Sequence, residues 1–167
     1  MKRLFLLRHA KAAFGTTDKT RPLAYQGQQD ASWLGQHLKQ LDSLPDHILC
    51  SSANRARETL ENLKMGAETV FSTKFSDDLY LASADQMIGQ VRQLAQNIKA
   101  PMIIGHNPGL SVLFHNLAEK LPRNSHVLAY PPCCLTLLEF DIDNWPRIKN
   151  HTGQLITVII PADHKIE

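Results

Sequence analysis

The sequence predicts an α/β fold: a three-layer α/β/α sandwich with a mostly parallel central sheet and an antiparallel edge hairpin, formed as a single domain over residues 1–167. Three observations predict it. Short unbroken apolar runs, Leu4-Phe5-Leu6-Leu7 and Met102-Ile103-Ile104, suit strands buried on both faces of a parallel sheet. Segments with apolar residues three and four apart alternate with such runs, as in repeated strand–helix–strand units. Late in the chain, two extended stretches flank the turn-like Asp141–Asn144, which suits a hairpin. A domain of this size buries roughly 70% of its unfolded surface, so its fold requires no disulfide or metal.

Leu4–Leu7 is the first strand, and Ala10–Tyr25, rich in Gly, Thr, Asp and Pro, reads as a long functional loop. A helix follows over Gln26–Leu41, its buried stripe made by Ala31, Leu34, Leu38 and Leu41. Ile48-Leu49-Cys50 is a second strand. Ala53–Lys64 is a helix with Ala56, Leu60 and Leu63 on one face, and Ser51 or Ser52 is its expected N-cap. Thr69–Phe71 suits a short strand, and Ser83 caps a helix carrying Met87, Ile88, Val91, Leu94 and Ile98. Pro101–Gly105 is the third strong strand, followed by a helix with Leu110, Leu113, Phe114 and Leu117 on one side. Leu121–Pro132 reads as loop, Cys134–Phe140 as a strand, Arg147–His151 as its returning partner, and Leu155–Ile160 as extended because Val and Ile favour strands.

The net charge of +2, without a basic run or arginine-rich tail, excludes an electrostatic case for nucleic acid. Cys50, Cys133 and Cys134 form no disulfide framework, and no Cys/His zinc spacing or HExxH motif occurs, so a metal-free, cofactor-free protein is expected. The N-terminal apolar run is too short for a signal peptide. No apolar stretch approaches the roughly 18 residues of a membrane span, and a reducing, cytoplasmic location is expected.

Three strand-to-helix junctions carry polar residues: Arg8-His9, then Ser51-Ser52 with Arg55 one turn into a helix, then Gly105-His106-Asn107-Pro108. In a parallel sheet such junctions share one edge, where α/β proteins build their sites. Two Arg and two His can therefore converge from distant points in sequence. Arg supplies a planar fork for phosphate oxygens, and a helix N-terminus adds free N–H groups, so the combination suits a phosphoryl dianion.

These segments resemble the histidine phosphatase superfamily, the phosphoglycerate mutase-like fold. Arg8-His9-Ala10 is similar to that family's Arg-His-Gly, and Ser51 through Thr59 to its Ser-x-x-x-Arg-Ala-x-x-Thr helix start. Gly105-His106-Asn107-Pro108 is similar to its second-histidine motif. The short chain, with Arg21-Pro22-Leu23 ahead of Gly27, most resembles the SixA-type phosphohistidine phosphatases. The resemblance implies that His9 is a nucleophile forming a phosphohistidine, that Arg8 and Arg55 hold phosphoryl oxygens, and that His106 donates to another oxygen. It also makes Arg21 phosphate-proximal. The superfamily's acid corresponds to Asp78 or Asp18, with Asp78 favoured by its segment. Ala10 replaces the usual Gly, and Ala24 stands where a hydroxyl residue is usual.

A nucleophilic imidazole must be neutral at the attacking nitrogen, and neighbouring Arg8, Arg55 and Arg21 push its pKa down. Its other nitrogen needs an acceptor that fixes the tautomer. The expected substrate is a phosphorylated protein bearing phosphohistidine. The alternatives are a small phosphomonoester, or a phosphate-binding or interaction module without turnover. The remaining side chains read as structural: Arg57 as a solvated partner of Glu61, Trp33 and Trp145 as packing residues, and the cysteines as core thiols.

Overall fold

Side chains alternate across a strand, so Leu4 and Leu6 must face one way and Phe5 and Leu7 the other. The computed structural model describes residues 1–164, and in it β1 (Lys2–Arg8) does this between two separate cores. The chain continues through α1 (Tyr25–Gln40), β2 (His47–Ser51), α2 (Asn54–Ala67), β3 (Thr73–Ser76), α3 (Ala84–Arg92) and β4 (Pro101–Gly105). It ends with α4 (Gly109–Leu117), α5 (Ser125–Ala129), β5 (Leu135–Phe140), β6 (Gln154–Ile159) and α6 (Pro161–His164). The sheet is six-stranded, in the order β3-β2-β4-β1-β5-β6. The first four of these run parallel, and β5 and β6 add an antiparallel edge.

One core packs Leu4, Leu6, Leu49 and Ile103 against Met87, Ile88 and Val91 of α3 and Leu110, Leu113 and Phe114 of α4. The other packs Phe5, Leu7, Ile48 and Ile104 against Ala31, Leu34 and Leu38 of α1 and Leu60 and Leu63 of α2. The α1–α2 contact is backbone against backbone. A Cβ at Gly66 would lie 1.8 Å from the Ser32 carbonyl oxygen, and one at Gly35 2.1 Å from that of Leu63. Only glycine allows this approach, which packs α2, the helix that carries Arg55, closely on α1.

Several boundaries differ from the sequence reading, each for a tertiary reason. The edge strand is β3, not Thr69–Phe71: residues 69–72 are spent crossing from the end of α2 to the sheet, with Phe71 buried in the second core. Helix α3 ends at Arg92 rather than running to Ile98. The buried Lys2 ammonium takes the Gln96 and Ile98 carbonyls, and the Trp145 indole N–H donates to Ile98 as well. Arg147–His151 is not a strand. Fully buried Trp145 starts a 3-10 turn over Trp145–Arg147, and β6 is the strand that returns beside β5. The segment read as loop before Pro132 contains α5, capped by Asn124 Oδ1, which accepts the His126 and Val127 N–H groups. Leu41 lies beyond α1 and is exposed.

The cap expected from Ser51 or Ser52 is absent, because Ala53 is the N-cap of α2 and supplies no side-chain bond. Arg57 does not pair with Glu61. Its Nε donates to the Ser52 carbonyl (3.1 Å) and its guanidinium lies over Phe75, while Glu61 pairs with Lys64.

Candidate functional site

Strands β1, β2 and β4 are neighbours in register, with Arg8 opposite Gly105 and Cys50 opposite Ile104. Their C-terminal ends therefore bring Arg8, His9, Ser51 and His106 to one edge, as parallel topology requires. Arg8, His9, Arg21, Arg55 and His106 line one cleft of about 330 Å³. Larger surface hollows of about 590 and 600 Å³ lie elsewhere and contain neither histidine of this group.

His9 is 8% exposed and held by its own backbone: its N–H donates to Gly105 O (3.0 Å) and its carbonyl accepts Cys133 N–H (3.1 Å). Its Nδ1 lies 2.8 Å from the Ala10 carbonyl, an acceptor that places the ring proton on Nδ1. Nε2 is then a free lone pair, and the Arg55 Nε–H donates to it at 3.3 Å. Burial is the largest cause depressing the His9 pKa to about 4. The Ala10 carbonyl opposes this, and Arg8, Arg55 and Arg21 add to it. The sequence reading named the arginines, and burial outweighs them.

His106 lies with its ring centroid 5.2 Å from that of His9. Burial, then His9 and Arg55, pushes its pKa down to about 3, so it too is neutral. Ser51 Oγ accepts the Ala53 N–H and lies 2.7 Å from His106 Nε2, to which it can give its own proton. His106 Nδ1 is buried and has no partner among the described residues. Arg8 Nε is likewise buried and unpartnered, while its Nη1 donates to the Tyr130 carbonyl (3.0 Å). Arg8 and His106 both line the cationic cleft, and guanidinium groups beside neutral imidazoles suit a tetrahedral anion.

Arg55 is 4% exposed. Its Nη1 and Nη2 donate to the main-chain carbonyl and the carboxylate of Asp18 (2.7 and 3.1 Å). The long loop reaches the cleft because Ala12 bridges Leu23 and the Asn54 amide holds the Thr20 carbonyl. The Tyr80 hydroxyl also donates to Asp18, and together with Arg55 it lowers the Asp18 pKa to about 2. Arg21 completes the cluster, with Nη1 3.4 Å from Asp18 and Nε donating to Ala13 O. Asp78, the favoured acid from sequence, is exposed, its backbone N–H donating to Ser76 Oγ, and it is not among the residues lining the cleft. Among the described residues, none that lines the cleft is a carboxylate.

The sequence reading missed several residues that hold this arrangement. Thr59 Oγ1 accepts the Ala10 N–H and donates to Arg55 O, tying α2 to the turn after β1. The Tyr130 carbonyl orients Arg8 and also accepts from the Asn107 amide. Tyr80 stands edge-on to His106. Thr59 lay within the quoted motif, whereas Tyr80 and Tyr130 carry no pattern that marks them. Among the described residues, no cluster of three His, Cys, Asp or Glu could hold a metal, and no helix is long and apolar enough to cross a membrane.

Both imidazoles titrate below the ordinary 6.5. The unfolded chain therefore binds more protons as pH falls below that value, so their stabilising contribution is full above it and is lost toward the folded values. A histidine-resolved NMR titration should give His9 a midpoint near 4. A midpoint at the ordinary value would contradict this electrostatic picture.

A profile of the histidine phosphatase superfamily, branch 1, matches residues 4–80. An uncharacterized protein of Mycobacterium tuberculosis is 33% identical over 115 residues, covering 68% of this chain and 70% of its own. One from Mycobacterium leprae is 29% identical over 165 residues, covering 93% and 99%. Among solved structures, the protein histidine phosphatase SixA complexed with tungstate superposes with a TM-score of 0.80 at 20% identity, covering 98% of this chain and 99% of its own. A SixA candidate from Nakamurella multipartitia gives 0.83 at 23% identity, covering 96% of each chain.

Proposed function

This chain belongs to branch 1 of the histidine phosphatase superfamily, and on that premise we propose that it hydrolyses protein phosphohistidine through a phosphohistidine intermediate on His9. One observation carries the reading. The cleft gathers two neutral histidines and three arginines, yet among the described residues no carboxyl group lines it, and the pKa of nearby Asp18 is lowered to about 2 by Tyr80 and Arg55. Such a site can bind and attack a phosphoryl group but has little with which to protonate a departing alkoxide. A phosphoimidazole needs no such acid. Protonated from solvent on its remote nitrogen, it leaves as neutral imidazole when the P–N bond breaks.

In the proposed sequence His9 Nε2 attacks phosphorus in line with that bond. Arg8 and Arg55 hold the equatorial oxygens, and His106 Nδ1–H donates as charge develops on them. Arg21 adds positive field at the rim. Water then attacks phospho-His9, releasing inorganic phosphate and restoring the neutral imidazole.

Steady-state comparison of a phosphohistidine protein with an alkyl phosphomonoester such as phosphoserine tests this. General acid catalysis contributes about 10²–10⁴-fold, so kcat/KM should favour the P–N substrate by at least about 10². Equal turnover of the alkyl ester would make the protein a small-molecule phosphomonoesterase. Binding of phosphate without turnover of either would make it a recognition module.

A further inference from the structure

Leu81 stands in the left-handed backbone region (φ 51°) with 56% of its surface exposed. A bulky residue there is sterically disfavoured, and such strain persists where function uses it. The turn that holds it is rigid. Leu79 before it is buried, and the Ala82 carbonyl after it packs so closely on α4 that a Cβ at Gly109 would lie 2.0 Å away. Tyr80 in this turn faces the Asp18–Arg55 network, while Leu81 forms the rim of the cleft.

Leu81 also begins a second hollow of about 360 Å³, lined by Ala82, Ala84, Pro108 and Val112 among others and by no charged residue. Val112 is 45% exposed on α4. We propose that this groove docks the substrate protein, taking an apolar side chain that neighbours its phosphohistidine. The proposal rests on the functional reading above and extends it. The occupant follows from continuity: the groove shares Leu81 with the cleft, so a protein surface delivering a phosphoryl group to His9 must lie across it. A small phosphate fills the cationic cleft and has nothing apolar to extend into the groove, and a groove without charge selects an apolar group.

Two variants test it. Val112→Gln leaves the cleft intact and keeps a good helix former. It should raise KM for a phosphohistidine protein about tenfold, with kcat and the turnover of small phosphoramidate unchanged. Leu81→Asn suits the left-handed backbone. It should raise the same KM while Tm stays equal or rises, because the strain is relieved. An unchanged KM in both variants overturns the docking surface alone, as does an equal loss on phosphoramidate in V112Q. So does a concentration-dependent dimer of the wild type that V112Q abolishes, because the groove would then be an interface between copies. A wild type that turns over phosphoramidate but no phosphohistidine protein overturns the functional reading, and this proposal with it.

Discussion

His9→Ala should lower turnover of a phosphohistidine protein by at least about 10⁴-fold, the scale on which removing a covalent nucleophile acts. His9 Nε2 is the ring nitrogen left unprotonated by the Ala10 carbonyl contact, and burial among arginines keeps it neutral at about 4. The substitution leaves the backbone bonds of residue 9 to Gly105 and Cys133 in place, so the turn that carries Arg8 should survive. Phosphate or tungstate should still bind the variant, because Arg8, Arg55 and His106 remain. A substitute nucleophile is hard to find: Cys50 and Cys134 are buried with their thiols pushed up to about 12. Rapid-quench measurement of phosphate release reads the effect directly. A variant rate within tenfold of wild type would remove His9 from the chemistry.

Arg55→Ala should cost about 10³-fold, in the range found when an arginine that stabilises a transferring phosphoryl group is lost. Arg55 does two things at once. Its Nε meets the His9 lone pair, and its two terminal nitrogens anchor Asp18 and with it the long loop. Loss of the guanidinium therefore removes a transition-state donor and loosens the cleft wall. It also leaves the Asp18 carboxylate to Tyr80 and Arg21 alone, so its pKa should rise partway from about 2 toward the ordinary 3.8. Arg55→Lys keeps the charge but not the fork and should recover only part of the rate. Arg57→Ala is the internal control: it lies two residues along the same helix, is exposed and stacks on Phe75, and should change kcat/KM less than twofold. Equal losses at both positions would mean that the helix matters and the guanidinium does not.

The sheet and the principal cluster were legible because the polar residues that matter end apolar strands. Leu4–Leu7 and Met102–Ile104 lead directly to Arg8-His9 and Gly105-His106, and parallel pairing sets their ends side by side. Arg55 was legible from its place at the start of the helix that follows Ser51. The acidic neighbour was legible only as a choice between Asp78 and Asp18. Asp78 follows the sheet-edge strand in sequence, yet the turn after β3 leaves it in solvent. Asp18, from a loop without periodicity, folds across because of a backbone bridge at Ala12 and Leu23. Contacts through main-chain carbonyls, such as Tyr130 to Arg8, depend on no side-chain type and leave no trace in composition. The end of α3 at Arg92 goes with the same kind of contact: Lys2, from the start of the chain, takes the carbonyls of Gln96 and Ile98 in the segment that follows it. The cap of α5 by Asn124 was readable, since Asn ahead of Ser125, His126 and the apolar pair Val127-Leu128 is an ordinary helix start.

Covalent trapping tests the central claim most directly. The protein is mixed with labelled phosphohistidine substrate, quenched in alkali within one turnover, digested and mapped by mass spectrometry. The account predicts one phosphoryl group, stable in alkali and released by acid, on the peptide containing His9, with none in His9→Ala. A label on any other residue, or full single-turnover hydrolysis with no phosphorylated enzyme at any quench time, would contradict it.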